Sequence, residues 1–181
     1  GCHKVRNLDV TIVEDERSCL RELLMELREE QSVSYHSEKG EARLIFPEFF
    51  EEAVENTPAR ILETHTHGSG ILYRNCFVQT KLQFGLYDNR FPWAKENEQL
   101  ATVFRIAFGR LLAPLELSQE AEEKYRSFLQ EQWKEAGIWA AEQEEPCYLH
   151  YLAEQIARTR EEVEELIVEA GKKNRIETVS Y

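Results

Sequence analysis

The chain has 181 residues, 42% of them apolar and 31% charged, and a formal net charge of −12. That length allows one large domain or a domain with a small appendage, and it can bury a sizeable core. The acidic balance excludes a generally phosphate-binding surface, because duplexes and anionic membranes are held by clustered Lys and Arg.

No apolar run approaches the length of a spanning helix, so no membrane role is expected. No charged-then-apolar leader opens the chain, and Gly1 stands where a complete sequence would carry Met, so natural neighbouring sequence is expected to be missing. Cys2, Cys19, Cys76 and Cys147 form no Cys-x-x-Cys pair. Reduced thiols, each a small buried hydrophobe, and a cytoplasmic setting are the expectation.

In chain order, residues 8–13 alternate and are β-branched, which predicts a short strand. Leu20, Leu23, Leu24 and Leu27 recur at helical spacing and predict an amphipathic helix over 16–30. Residues 32–46 read as a hairpin turning at Glu38-Lys39-Gly40. Pro47 is expected to open a short helix with Phe49, Phe50, Ala53 and Val54 facing inward, stopped at Thr57-Pro58. Residues 60–67 read as a strand, Gly68-Ser69-Gly70 as a turn, and 71–87 as a returning strand on which Val78, Leu82, Phe84 and Leu86 alternate with polar residues. A loop is expected over 88–95. Leu100 to Leu112 predicts a helix with a wide apolar face. Ser118 reads as the N-cap of a long helix to about residue 143, with Tyr125, Phe128, Leu129 and Trp133 inward. Of the tryptophans, Trp139 is the one expected to be partly exposed.

Together these predict an α+β protein: a small antiparallel sheet with flanking helices over 1–95, then a helical region over 96–181, packed as one compact unit.

Residues 148–181 carry a further pattern. Leu149, Leu152 and Ile156 mark one helix, a short turn follows, and Thr159 with Glu162 forms a capping box. Val163, Leu166, Ile167 and Ala170 mark a second helix, Gly171 reads as its C-cap, and Ile176 and Val179 as the start of a strand. This resembles the helix-turn-helix and first wing strand of winged-helix domains. In DNA-binding members of that family the second helix enters the major groove. Here its exposed face carries Glu161, Glu164, Glu165 and Glu169, which repel phosphate, and Lys172, Lys173 and Arg175 at the wing do not offset them. Protein docking through Glu161, Glu164, Glu165, Lys172, Lys173 and Arg175 is the expected use.

One segment suggests chemistry. On a strand, residues two apart point the same way, so Glu63, His65 and His67 share a face beside a glycine-rich turn that leaves room for substrate or water. Two imidazoles at that spacing can chelate one transition metal. His65-Thr66-His67 is similar to the metal motif of the JAB/MPN (JAMM) metallopeptidases, which cleave isopeptide or peptide bonds. The resemblance implies zinc, a serine and an aspartate ligand further on, and a catalytic glutamate earlier in the chain. The chain departs from it: no acidic residue lies between Glu63 and Asp88. Cys76 is then the candidate third ligand, and Glu41 or Glu63 the candidate base. His65 acting as base for Cys76 as nucleophile is a further option.

With no complete catalytic signature, the chain reads as a non-enzymatic regulatory or interaction module. Its winged-helix-like end would dock a protein partner, with a DNA-associated assembly as one setting. No cofactor is expected on this reading, and a homo-oligomer is compatible with it. The alternative is a divergent metal-dependent hydrolase centred on His65 and His67, with zinc as cofactor.

Overall fold

The computed structural model of the chain describes residues 4–13, 17–56 and 61–179. Two compact units are present, Gly1–Ala121 and Glu122–Tyr181. The composition change at residue 96 falls inside the first of them. The class is α+β, as composition and periodicity predict, and among the described residues no helix is long and apolar enough to cross a membrane.

The first unit is built on a three-stranded sheet in the order β1 (Asn7–Ile12), β2 (Gln31–Ser37), β3 (Gly40–Phe46). The β2–β3 pair is the predicted hairpin, whereas β1 runs parallel to β2, with α1 (Leu20–Glu26) as the crossover between them. The helix read over 16–30 is therefore shorter than its leucine spacing implies. Val33 and Tyr35 on β2 and Ala42 and Leu44 on β3 bury one side chain in two, the signature of a sheet with one packed face, until the end of β3, where Ile45 is buried as well as Leu44 and Phe46. Helix α5 (Leu100–Leu112) lies against β3 and is the element most legible from sequence. Gly109 permits that contact, since a Cβ there would stand 2.7 Å from the Arg43 carbonyl oxygen.

The outer edge of β3 is covered. The Tyr87 hydroxyl donates to Ile45 O at 2.7 Å and accepts from Ile45 N at 2.8 Å, and Leu115 N donates to Glu41 O at 3.2 Å. Backbone groups that would otherwise template another strand are thus satisfied internally.

Three sequence expectations are corrected here. The helix expected after Pro47 is strand β4 (Phe50–Asn56), antiparallel to β5 (Ile61–His67). Phe50 and Val54 face solvent at 57% and 41% exposure, and only Phe49 is buried. Cross-strand pairing with Thr64 and Thr66 overrides the helical spacing of the apolar residues. The returning strand expected over 71–87 is helix α2 (Gly70–Arg74), a minimal hairpin of β6 (Phe77–Val78) and β7 (Lys81–Leu82), and helix α3 (Phe84–Asp88). The loop expected over 88–95 is largely helix α4 (Phe91–Asn97), with Pro92 in its first turn and Trp93 exposed at 54%.

Arg74 explains much of this departure. Its side chain is fully buried, and its five N–H groups donate to five backbone carbonyls: Leu24, Leu27 and Glu29 at 2.7–2.9 Å, Gly70 at 3.1 Å, and Pro47. The guanidinium also lies over the Phe49 ring at 4.8 Å. Burial lowers its pKa to about 10, so it is charged at neutral pH. One side chain thereby fixes the end of α1, the segment before β4, and α2.

In the second unit α6 (Gln119–Glu131), which starts at the boundary, and α7 (Trp133–Glu142) replace the single long helix expected to residue 143. The Ser118 hydroxyl accepts from Ala121 N at 3.2 Å, as an N-cap does, and Tyr125, Phe128, Leu129 and Trp133 are buried as expected. Helix α8 (Cys147–Tyr151) continues as a π-turn over Leu152–Ile156, and α9 (Arg160–Val179) follows. The capping box is formed: Glu162 N donates to Thr159 Oγ1 and Thr159 N to Glu162 Oε2, each at 3.2 Å. Helix α9 runs through Gly171 to Val179, so Gly171 is not a C-cap and the strand expected at Ile176 is helix.

Candidate functional site

The histidines stand on the β4–β5 ribbon. Its register sets Phe50 opposite His67, Glu52 opposite His65 and Val54 opposite Glu63. By the two-residue period these share one face, and Glu51, Ala53, Thr64 and Thr66 take the other. Residues 51–54 and 64–67 are all exposed. The Phe50 and His67 rings stack at 4.7 Å with 15° between their planes. His67 Nε2 lies 3.5 Å from Glu52 Oε2.

The other residues proposed for a metal centre are not brought to this face. Cys76 is fully buried after α2, where its thiol donates to Leu72 O at 3.3 Å. Burial pushes that thiol up to about 11, which opposes a thiolate role. Of the remaining thiols, Cys2 lies outside the described residues, and Cys19 is exposed and Cys147 half-buried, against the expectation that each is a buried hydrophobe. Glu41 lies on β3, where it pairs with His36 Nδ1 at 3.1 Å. The side chain of Glu63 lies outside the described residues. Among the described residues no three His, Cys, Asp or Glu side chains are gathered as a formed metal centre.

The glycine turn also has a different cause from the one expected. Gly68 has φ +86°, and a Cβ on it would stand 2.6 Å from Glu48 O; one on Gly70 would stand 2.1 Å from Pro47 O. Both glycines admit the 47–48 backbone rather than a substrate.

The second candidate is a groove between α7 and α9, with a cavity of about 430 Å³. Trp133, Gly137, Leu166 and Val168 form its apolar lining, and Glu161, Glu164, Glu165 and Glu169 line it together with Lys134. Gly137 sets the spacing, since a Cβ there would meet Leu166 Cδ2 at 2.7 Å. Val168 is 57% exposed and the adjacent Ile167 65% exposed. Two of the carboxylates are held by neighbours on α9: Glu164 by Arg160 at 3.0 Å and Glu169 by Lys172. Such exposed pairs contribute at most about 0.5 kcal/mol and exchange readily. The four acidic residues singled out from sequence, Glu161, Glu164, Glu165 and Glu169, therefore do share one concave surface. The side chains of Lys173 and Arg175 lie outside the described residues.

Sequence reasoning missed Glu52, because residues 47–54 carry helical spacing, and it missed Trp133 and Gly137 as groove residues. The alternation of Phe50, Glu52 and Val54 is the signal for the first. No sequence signal marks the second, because the groove arises from helix packing. No protein-family model, curated protein or solved structure matches the chain.

Proposed function

We propose that the chain is a non-enzymatic interaction module whose C-terminal helix pair docks a protein partner through the α7–α9 groove. The observation that carries this reading is the coincidence of an apolar lining with four carboxylates on one concave surface. The occupant that fits is a helix presenting one or two large apolar side chains flanked by Lys or Arg. Burial of those apolar groups supplies affinity, while the carboxylates select basic partners and speed their approach. A duplex is disfavoured, since its phosphates would face the same carboxylates.

The test is a photo-crosslinker at Val168 to capture the partner, followed by binding of that purified partner to the wild-type chain and to Glu164→Lys with Glu165→Lys. A loss of about tenfold or more, with folding unchanged, is expected, because rim charge reversal sets like charges against each other. A captured partner whose binding ignores the reversal removes the reading. So does a tight, salt-sensitive complex with plain duplex DNA.

A further inference from the structure

We infer that a cavity at the carboxyl ends of β1 and β2 binds a small organic monoanion, an apolar body carrying one carboxylate. The cavity measures about 210 Å³, room for roughly ten non-hydrogen atoms at the packing density of organic crystals. Its walls are the ends of the two strands, the β6–β7 hairpin and the turn after α5. All of them belong to the first unit, so the site is independent of the α7–α9 groove.

Topology places the cavity. Strands β1 and β2 form the parallel pair, joined through α1, and ligands of parallel sheets settle beyond the carboxyl ends of the strands. Here those ends present Ile12 on β1 and Tyr35 on β2. Much of the lining is apolar. Tyr35 and Phe84 meet edge to face at 5.4 Å, and they, Leu82 and Leu115 are each at most 9% exposed although they border open space. An apolar group seated there removes its own surface from water. The two bordering turns carry a second sign. Glu116 has φ +50° and Gln79, next to Thr80 of the lining, φ +55°; they are the two non-glycine residues with positive φ among the described residues. That conformation is costly for a residue with a Cβ, and such costs concentrate at ligand sites.

Charge selects the ligand. In a chain of net charge −12, the described lining carries two cations, Lys39 and Lys81, against one carboxylate, Glu116. The α7–α9 groove has the reverse balance, four carboxylates against Lys134. Both lysines of the cavity are exposed residues, so their aliphatic stems border it while the ammonium groups stay in water at its mouth. Burial raises the Tyr35 phenol above its ordinary pKa, with Glu116 adding to the rise and Lys39 opposing it. The Tyr35 hydroxyl is therefore a neutral donor within electrostatic reach of both charges. A carboxylate at the mouth meets the lysines while its apolar body lies against Tyr35, Leu82 and Phe84. A cation would meet the opposite balance.

The experiment titrates the full chain with 3-phenylpropionate, with its amide and with 3-phenylpropylamine, following backbone amide resonances by NMR. The carboxylate should bind with a Kd of about 0.1–1 mM, as suits a ligand this small. The shifts should centre on Tyr35, Lys39, Lys81 to Phe84, and Glu116. Exposed charge pairs change affinity by about two- to fivefold, so the amide should bind weaker by about that factor and the amine weaker still. Lys39→Met and Lys81→Met should each weaken the carboxylate by about twofold or more, and Glu116→Gln should strengthen it about twofold. Lys95→Met, on α4 and outside the lining, should match the wild type. All four substitutions are at exposed positions, and circular dichroism verifies folding. No saturable shift with any of the three probes, or shifts centred outside the lining, overturns the site. An amine that binds as tightly as the carboxylate overturns the choice of an anion. So does carboxylate binding indifferent to both lysine variants.

Discussion

Asp88 presents Oδ1 to Arg110 Nε at 2.8 Å and Oδ2 to Arg110 Nη2 at 3.0 Å, a two-point ion pair whose side chains are 3% and 0% exposed. Nη2 also donates to Leu115 O at 3.0 Å, and the guanidinium lies over the Phe84 ring at 5.0 Å. The pair joins the end of α3 to α5 and to the turn that closes the edge of β3. Removing one partner of such a pair leaves a buried charge uncompensated. Asp88→Ala should cost about 3–5 kcal/mol in urea unfolding, and the double change Asp88→Leu with Arg110→Met should recover most of it. A single variant within about 1 kcal/mol of wild type would contradict this account.

How far the fold was legible follows from which interactions decide each segment. Helix α5 and the β2–β3 hairpin are decided by local periodicity and a turn at Gly40, and both were readable. Residues 71–87 were not: of the alternating Val78, Leu82, Phe84 and Leu86, only Leu82 and Phe84 are buried, together with Tyr73, Tyr87 and the later Phe91, while Val78 and Leu86 are exposed. What selects the helices there is the Arg74 guanidinium gathering carbonyls from α1, Pro47 and α2, a long-range fact invisible in any window. Glu52 was hidden for the same reason: strand register, not sequence proximity, places it beside the histidines.

Gly171 separates two readings of the C-terminal end. A C-cap glycine needs a left-handed backbone, and alanine there is destabilising. Within α9, Gly171 has no positive φ, and a Cβ on it would meet nothing within 4 Å. Gly171→Ala should therefore stabilise the second unit by about 0.5–1 kcal/mol, the difference in helix propensity. The thermal midpoint should rise and the helical circular dichroism signal should be kept. A fall in the midpoint would restore the C-cap.

The thiols should differ in reactivity by burial. Cys19 is exposed, whereas Cys76 is fully buried with its thiol pushed up to about 11. At pH 8 iodoacetamide should label Cys19 promptly in the native protein, and Cys76 only through transient opening, on the order of a hundredfold more slowly. Peptide mapping by mass spectrometry reads both. Equal labelling would return Cys76 to candidacy as a nucleophile or metal ligand.

Glu162 gives the second unit a defined acid response. Its carboxylate accepts from Arg158 N at 2.6 Å, from Gln130 Nε2 at 2.8 Å and from Thr159 N at 3.2 Å. Chiefly through the Arg158 N–H, its pKa is held below the ordinary 4.5. A carboxyl depressed in the folded state adds stability that is complete above its unfolded value and fades as pH falls through the folded one. The contribution of Glu162 should thus be constant at neutral pH and decline below about 4.5. Because the side chain is only partly buried, solvent screening limits the charge effect, and the loss of capping sets the scale. Glu162→Ala should cost about 1 kcal/mol at pH 7, with the difference from wild type shrinking in urea titrations run towards pH 3. A difference that stayed constant across that range would assign the effect to helix geometry alone. Since the capping box fixes where α9 begins, and with it the positions of Glu161, Glu164 and Glu165 along the groove, the same variant should also weaken binding of a basic partner at neutral pH.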